Sequence, residues 1–197
     1  MRVVLRIGVI GQSGPISEEL RAAAFAVGRA VGARGALLFT GGRDGVMAAA
    51  SQGAQSAGGV TVGILPGDDL REANPYVTVP VTTGLTMVGR SEVLVHAVDA
   101  CIIVGGGAGT LAEIAVAYLY RKPLVALRGT GGWGDHLASA LVDGRFLDHR
   151  RLVPIHYVAD PEEAVALAAE LAQRGQRPPD RPAPGLGDVP KLREASE

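Results

Sequence analysis

The segment VGGGAGTLAE, Val104 to Glu113, holds four glycines, a threonine and a glutamate in ten residues. It follows the apolar run Ala100-Cys-Ile-Ile103 and leads into the apolar-periodic stretch Ile114 to Tyr120. A buried strand that ends in a glycine turn and passes at once into a helix is the local pattern of a parallel α/β sheet.

The rest of the chain repeats that pattern. Apolar runs at Val3–Ile10, Ala36–Phe39, Val60–Leu65, Ala100–Val104, Pro123–Leu127 and Val153–Val158 read as strands, with a short extended piece at Tyr76–Val81. Between them, helical patterns fall at Glu18–Val31, Val46–Ser56, Thr86–Ala97, Leu111–Tyr120, His136–Val142 and Glu162–Gln173. Asp160 is placed to cap the last helix, with Pro161 at its first position. Strands alternating with helices over short connections predict an α/β, Rossmann-like, doubly wound and mainly parallel sheet with helices on both faces. Ligands of such folds sit beyond the carboxyl ends of the strands. The glycine turns at Gly11, Gly41-Gly42, Gly105–Gly109 and Gly129–Gly134 all fall at that end. Residues 1–175 form a single nucleotide-binding domain on this reading, and residues 176–197, rich in proline and charge, form a flexible tail.

Composition narrows the function. Net charge is −1 over 197 residues, which argues against a nucleic-acid partner. The single cysteine, Cys101, fits inert core in a reducing cytoplasm, and no apolar stretch reaches the ~18 residues of a membrane span. The N-terminus turns directly into a strand pattern and carries no signal-peptide cleavage site. His96, His136, His149 and His156 lack close metal-ligand spacing, so no metal is expected. The P-loop pattern is absent, as is the nucleophile elbow. The first strand ends Gly8-Val-Ile-Gly-Gln-Ser-Gly14, and no acidic residue follows Phe39 to bind a ribose diol, which sets a dinucleotide enzyme aside.

Two readings fit the central glycine turn. Glycines before a helix leave N–H groups unpaired and let an anion come close to the backbone, with the helix dipole favouring phosphate. Alternatively, Thr110-Leu-Ala-Glu113 is a capping box, in which Glu113 is spent on the backbone. Three consecutive glycines, Gly105 to Gly107, favour phosphate, because a simple cap does not need them. The turn Thr40-Gly-Gly-Arg-Asp-Gly-Val-Met47 has the same design and suggests a cleft lined by glycine backbone. The segment Arg128-Gly-Thr-Gly-Gly-Trp-Gly-Asp135 reads equally well as a base-stacking lid or a tight surface loop.

Gly106-Gly-Ala-Gly-Thr-Leu-Ala-Glu113 resembles the G-G-x-G-T-x-x-E signature of the Lonely Guy proteins, phosphoribohydrolases that release cytokinin bases from their ribonucleoside monophosphates. Met87-Val-Gly-Arg90 resembles that family's M-x-x-R element, and Thr40 to Met47 its glycine-rich turn. Together these span most of residues 1–160. Gly105 stands where the family has proline, and Ser91 where it has lysine. The GGRDGVM and RGTGGWGD segments look more like a sister branch with molybdenum-cofactor carrier-like members. The resemblance implies a Rossmann-like fold, a small phosphorylated ligand and a homo-oligomer, dimer or tetramer. It implies Glu113 and Arg90 as the catalytic pair, with no cofactor required for catalysis. Ser13, Gly41, Gly42, Met87, Gly105, Gly106, Gly107, Gly109 and Thr110 are the candidate ligand- and phosphate-binding residues. The expected activity is hydrolysis of the N-glycosidic bond of AMP or a related nucleotide. The alternative is a non-catalytic carrier for a nucleotide or the molybdenum cofactor.

Overall fold

A computed structural model describes residues 4–175, so the expected tail at 176–197 lies outside the described residues. Seven strands among these residues form one parallel sheet in the order β4-β3-β2-β1-β5-β6-β7. They are β1 (Arg6–Gly11), β2 (Leu37–Thr40), β3 (Thr61–Leu65), β4 (Val79–Thr82), β5 (Ala100–Val104), β6 (Leu124–Leu127) and β7 (Ile155–Val158). The helices are α1 (Glu18–Ala33), α2 (Val46–Ser56), α3 (Met87–Ala97), α4 (Ala108–Leu119), α5 (Gly132–His136) and α6 (Pro161–Gly175). This is the expected α/β, Rossmann-like architecture. The chain winds outward from β1 in one direction through β2, β3 and β4, then crosses to β5 and winds the other way. The β1/β5 pair is therefore the topological switch point, where open α/β sheets hold their ligands.

Strand alternation sorts the core. Ile102 and Val104 of β5 face one side with Ile7, Val9 and Leu38, covered by Ala24, Val27 and Val31 of α1, Ala50 of α2 and Ala168 of α6. Cys101 and Ile103 face the other side with Ile10, Phe39 and Ala126, covered by Leu94 of α3 and Ile114, Ala117 and Tyr118 of α4. Burial of both faces is why these strands read as unbroken apolar runs. The Cys101 thiol is pushed up to about 12, chiefly by burial, and is chemically quiet.

Local signals fix the ends of the elements. The Ser17 hydroxyl accepts from Leu20 N–H at 3.2 Å at the start of α1. Asp160 accepts from Glu163 N–H at 2.8 Å ahead of Pro161, as expected for α6. The extended piece near 76–81 settles as β4, with Pro80 tolerated because β4 is an edge strand.

Two boundaries depart from the sequence reading. The helix expected at His136–Val142 instead forms earlier, as α5 at Gly132–His136, followed by a 3-10 turn at Leu137–Ser139. Its start is pinned from outside: Trp133 N–H and Gly134 N–H donate to the Gly106 and Gly105 carbonyls at 2.9 Å each. Asp135 accepts from Gly129 and Gly131 N–H at 3.1 and 2.7 Å. The Arg128–Asp135 segment is thus a hydrogen-bonded turn and short helix docked on the central glycine loop. In turn, α4 begins at Ala108, three residues before the expected Leu111.

Candidate functional site

At the switch point lies a cavity of about 270 Å³. Its floor is the end of β1, Gly11-Gln12-Ser13, and its walls are Gly41 after β2, the first turn of α3 and the first two turns of α4. Of the sequence-predicted residues, Ser13, Gly41, Met87, Arg90, Gly107, Gly109, Thr110 and Glu113 line it together.

Gly42, Gly105 and Gly106 stand outside the lining. Gly42 N–H donates to Thr40 Oγ1 at 3.0 Å, and Asn74 Nδ2 donates to the Gly42 carbonyl at 3.0 Å. Gly105 N–H donates to Thr130 Oγ1 at 2.9 Å. Gly105 and Gly106 are joined by their carbonyls to α5, with φ of +62° and +114° that disfavour other residues. A Cβ on Gly106 would lie 2.6 Å from Thr110 Cγ2, so glycine there makes room for the threonine.

The capping box does not form. Gly107 is the N-cap of α4 and supplies no side-chain cap, so the first N–H groups of the helix open toward the cavity. Thr110 lies inside the first turn, 2% exposed. Glu113 turns instead toward α3. Its Oε1 lies 2.9 Å from Ser91 Oγ, which is also 3.2 Å from the Met87 carbonyl oxygen, and 3.8 Å from Arg90 Nη1.

Arg90 is the unusual group. Its side chain is 3% exposed, and its Nε and Nη1 have no hydrogen-bond partner. Glu113 Oε1 at 3.8 Å is too far for a hydrogen bond. Buried guanidinium donors are almost always satisfied, so two without partners on a residue that lines the cavity are a departure that calls for an explanation. Burial lowers the Arg90 pKa; Glu113 raises it and Arg43 lowers it further. Burial raises the Glu113 pKa, and the Arg90 charge and the hydrogen bond donated by Ser91 only partly oppose this. Gly41 permits the arrangement, because a Cβ there would sit 1.9 Å from Arg90 Nη1.

Sequence reasoning missed Ser91 as a partner of Glu113, and it missed Gln12 and Val88 in the lining. It also missed Arg43, whose Nε lies 3.4 Å from Glu72 and whose charge reaches Arg90. Ser91 follows Arg90 directly, but nothing in the spacing places it against a residue 22 positions away. Among the described residues, no cluster of three or more His, Cys, Asp or Glu side chains could hold a metal ion, and no helix is long and apolar enough to cross a membrane.

A doubly wound parallel sheet with a polar-lined cavity at its switch point defines a Rossmann-like α/β class of protein. The chain belongs to the SLOG cluster4 family, whose model matches residues 4–165. It is 36% identical over 173 residues to a cytokinin riboside 5'-monophosphate phosphoribohydrolase of Mycobacterium marinum, covering 81% of this chain and 92% of that one. The molybdenum cofactor carrier protein of Chlamydomonas reinhardtii superposes with a TM-score of 0.72 at 33% identity, covering 87% of this chain and 99% of that one. The molybdenum cofactor binding protein of Rippkaea orientalis superposes with a TM-score of 0.74 at 29% identity, with the same coverage. The resemblance to a Lonely Guy-like superfamily with molybdenum-cofactor carriers among its members is therefore borne out.

Proposed function

We propose that the protein is a phosphoribohydrolase that cleaves the N-glycosidic bond of a nucleoside 5′-monophosphate, AMP or a close purine relative. The observation that carries this is the meeting of Arg90, Glu113 and the uncapped start of α4 in one cavity. Free N–H groups of α4, the Thr110 hydroxyl and the unpaired Arg90 donors suit a phosphate dianion. Among the described residues Glu113 is the only carboxyl in the lining, and it lies one helical turn past Thr110, within reach of the ribose of a nucleotide so held. Breaking the bond develops positive charge on the ribose, and a carboxylate beside the ring stabilises it and takes a proton from the attacking water. No cofactor is needed for that chemistry. The reading includes a cytoplasmic homo-oligomer, dimer or tetramer. Exposed Val79, Val81, Leu85 and Val88 support self-association.

A second reading, a carrier of a phosphorylated ligand, is favoured by the 33% identity to a molybdenum cofactor carrier. The phosphate end of that cofactor fits Arg90 and Thr110 as well as a nucleotide does. Among the described residues the metal end finds no histidine, cysteine or aspartate in the lining, and Cys101 is fully buried in the core. The carrier reading thus rests on the phosphate, and it gives Glu113 no task.

Incubation with AMP and chromatography of the products separates the two. Free adenine and ribose 5-phosphate are expected from the wild type, with a fall of about 10²–10⁴-fold in Glu113→Gln, the usual contribution of a positioned acid–base group. No adenine from either protein rejects the hydrolase and leaves the carrier.

A further inference from the structure

Arg43 is a second guanidinium beside the cavity, and the chemistry above gives it no task. It sits in the turn between β2 and α2, two residues after Gly41 of the cavity wall. The backbone of that turn is fixed from both sides. Asn74 Nδ2 donates to the Gly42 and Arg43 carbonyls at 3.0 and 2.8 Å, and Asp44 Oδ1 accepts from Gly14 N–H at 3.1 Å. The Arg43 side chain is held far less firmly. Its Nε lies 3.4 Å from Glu72 Oε2, with 39% and 42% of the two side chains exposed, and exposed ion pairs of this kind hold weakly. Among the described residues its hydrogen-bond acceptor is the sulfur of Met87, 3.5 Å from Nη1, and a thioether accepts poorly.

Met87 joins Arg43 to the site. It lines the cavity, is 43% exposed and so stands at the rim, and precedes Arg90 by about one turn of α3. One guanidinium is therefore buried in the wall and the other stands just outside it, near enough for the Arg43 charge to lower the Arg90 pKa. Three sets of donors from three elements border one cavity: the uncapped start of α4 with Thr110, Arg90 of α3, and Arg43 of the β2–α2 turn. A phosphate monoester presents three terminal oxygens and about two negative charges. A phosphodiester presents one oxygen and one charge fewer.

We propose that Arg43 is a specificity-determining residue of this site: on binding it leaves Glu72 for the third oxygen of a terminal phosphate, so that the site selects a phosphate monoester over a phosphodiester. This rests on the phosphate site proposed above and extends it, because α4 and Arg90 alone engage two oxygens and hold either ligand. Glu72 competes with the ligand for Arg43 and so tempers the affinity.

The test reads binding alone and so stands apart from whether AMP is cleaved. The probe is a purine nucleoside 5′-monophosphate whose base is joined to C1′ through carbon and is not released, beside its methyl phosphodiester. Calorimetric titration of the wild type is expected to show a preference for the monoester. Arg43→Gln is expected to cut that preference by about tenfold, the scale of one charged hydrogen bond, with the diester bound as before. Arg43→Lys is expected to restore part of it. Glu72→Gln, which frees Arg43, is expected to tighten the monoester by up to about fivefold, the scale of an exposed ion pair. A preference unchanged in Arg43→Gln, or an equal loss for both ligands, overturns the role of Arg43. Weaker monoester binding in Glu72→Gln overturns the exchange and makes the Arg43–Glu72 pair a brace of the loop. A wild type that binds neither ligand overturns the phosphate site itself, whereas intact selectivity in a protein that releases no adenine from AMP rejects the hydrolase and leaves Arg43 in place.

Discussion

Arg90→Met is expected to weaken nucleotide binding by about a hundredfold or more while the unliganded protein melts no lower than the wild type. The two halves have one cause. Nε and Nη1 of Arg90 are buried without partners, and an unsatisfied buried donor costs about 1–3 kcal/mol. Methionine removes that cost and fills similar space. The loss of a buried charge contact to a phosphate is worth about 2–5 kcal/mol, and ~1.4 kcal/mol is a factor of ten. Removing one partner of a buried ion pair ordinarily strands the other. Here the contact is long, 3.8 Å from Nη1 to Oε1, Glu113 keeps its hydrogen bond from Ser91, and loss of Arg90 raises the Glu113 pKa further, toward the uncharged form. Thermal melts with and without AMP read both halves. A lower melting temperature without ligand contradicts the absence of a working Arg90–Glu113 ion pair, and unchanged affinity contradicts the phosphate site.

Gly28→Ala is expected to destabilise the fold by about 3 kcal/mol or more, a fall of roughly 6–12 °C in melting temperature for a chain of this size. The added Cβ would sit 1.9 Å from the Ala50 carbonyl oxygen and 2.7 Å from its carbon. Gly53 meets α1 in the same way, its Cβ position 2.0 Å from the Phe25 carbonyl oxygen. Helices α1 and α2 therefore touch backbone to backbone, and the obstruction has no rotamer that relieves it. Since α2 follows directly on the turn that carries Gly41, a forced separation also reaches the site. A melting temperature within about 2 °C of the wild type contradicts this packing.

The sheet was legible because both its faces are buried: a run such as Ala100-Cys-Ile-Ile-Val104 has no other good use in a chain of this kind. The switch-point site followed from glycine turns at one end of those strands. The boundaries that failed are the ones fixed over distance. The first turn of α4 contains Gly109 and lacks a capping side chain, so local signals place the start at Leu111. Helix α5 lies in a glycine-rich segment and holds its start on carbonyls more than twenty residues earlier. The site shows the same division. Arg90 and Glu113 were found through motifs, whereas the clearance at Gly41, the Ser91–Glu113 contact and the absence of the capping box come from α3 packing on α4 and on the end of β2.

Calorimetric titration of the wild type with AMP and with adenosine tests the central claim, that the phosphate of a nucleotide is held by Arg90, Thr110 and the open start of α4. AMP is expected to bind at least a hundredfold more tightly than adenosine, since only AMP supplies the anion for the unpaired Arg90 donors. Equal affinities, or no binding of AMP, would contradict the account.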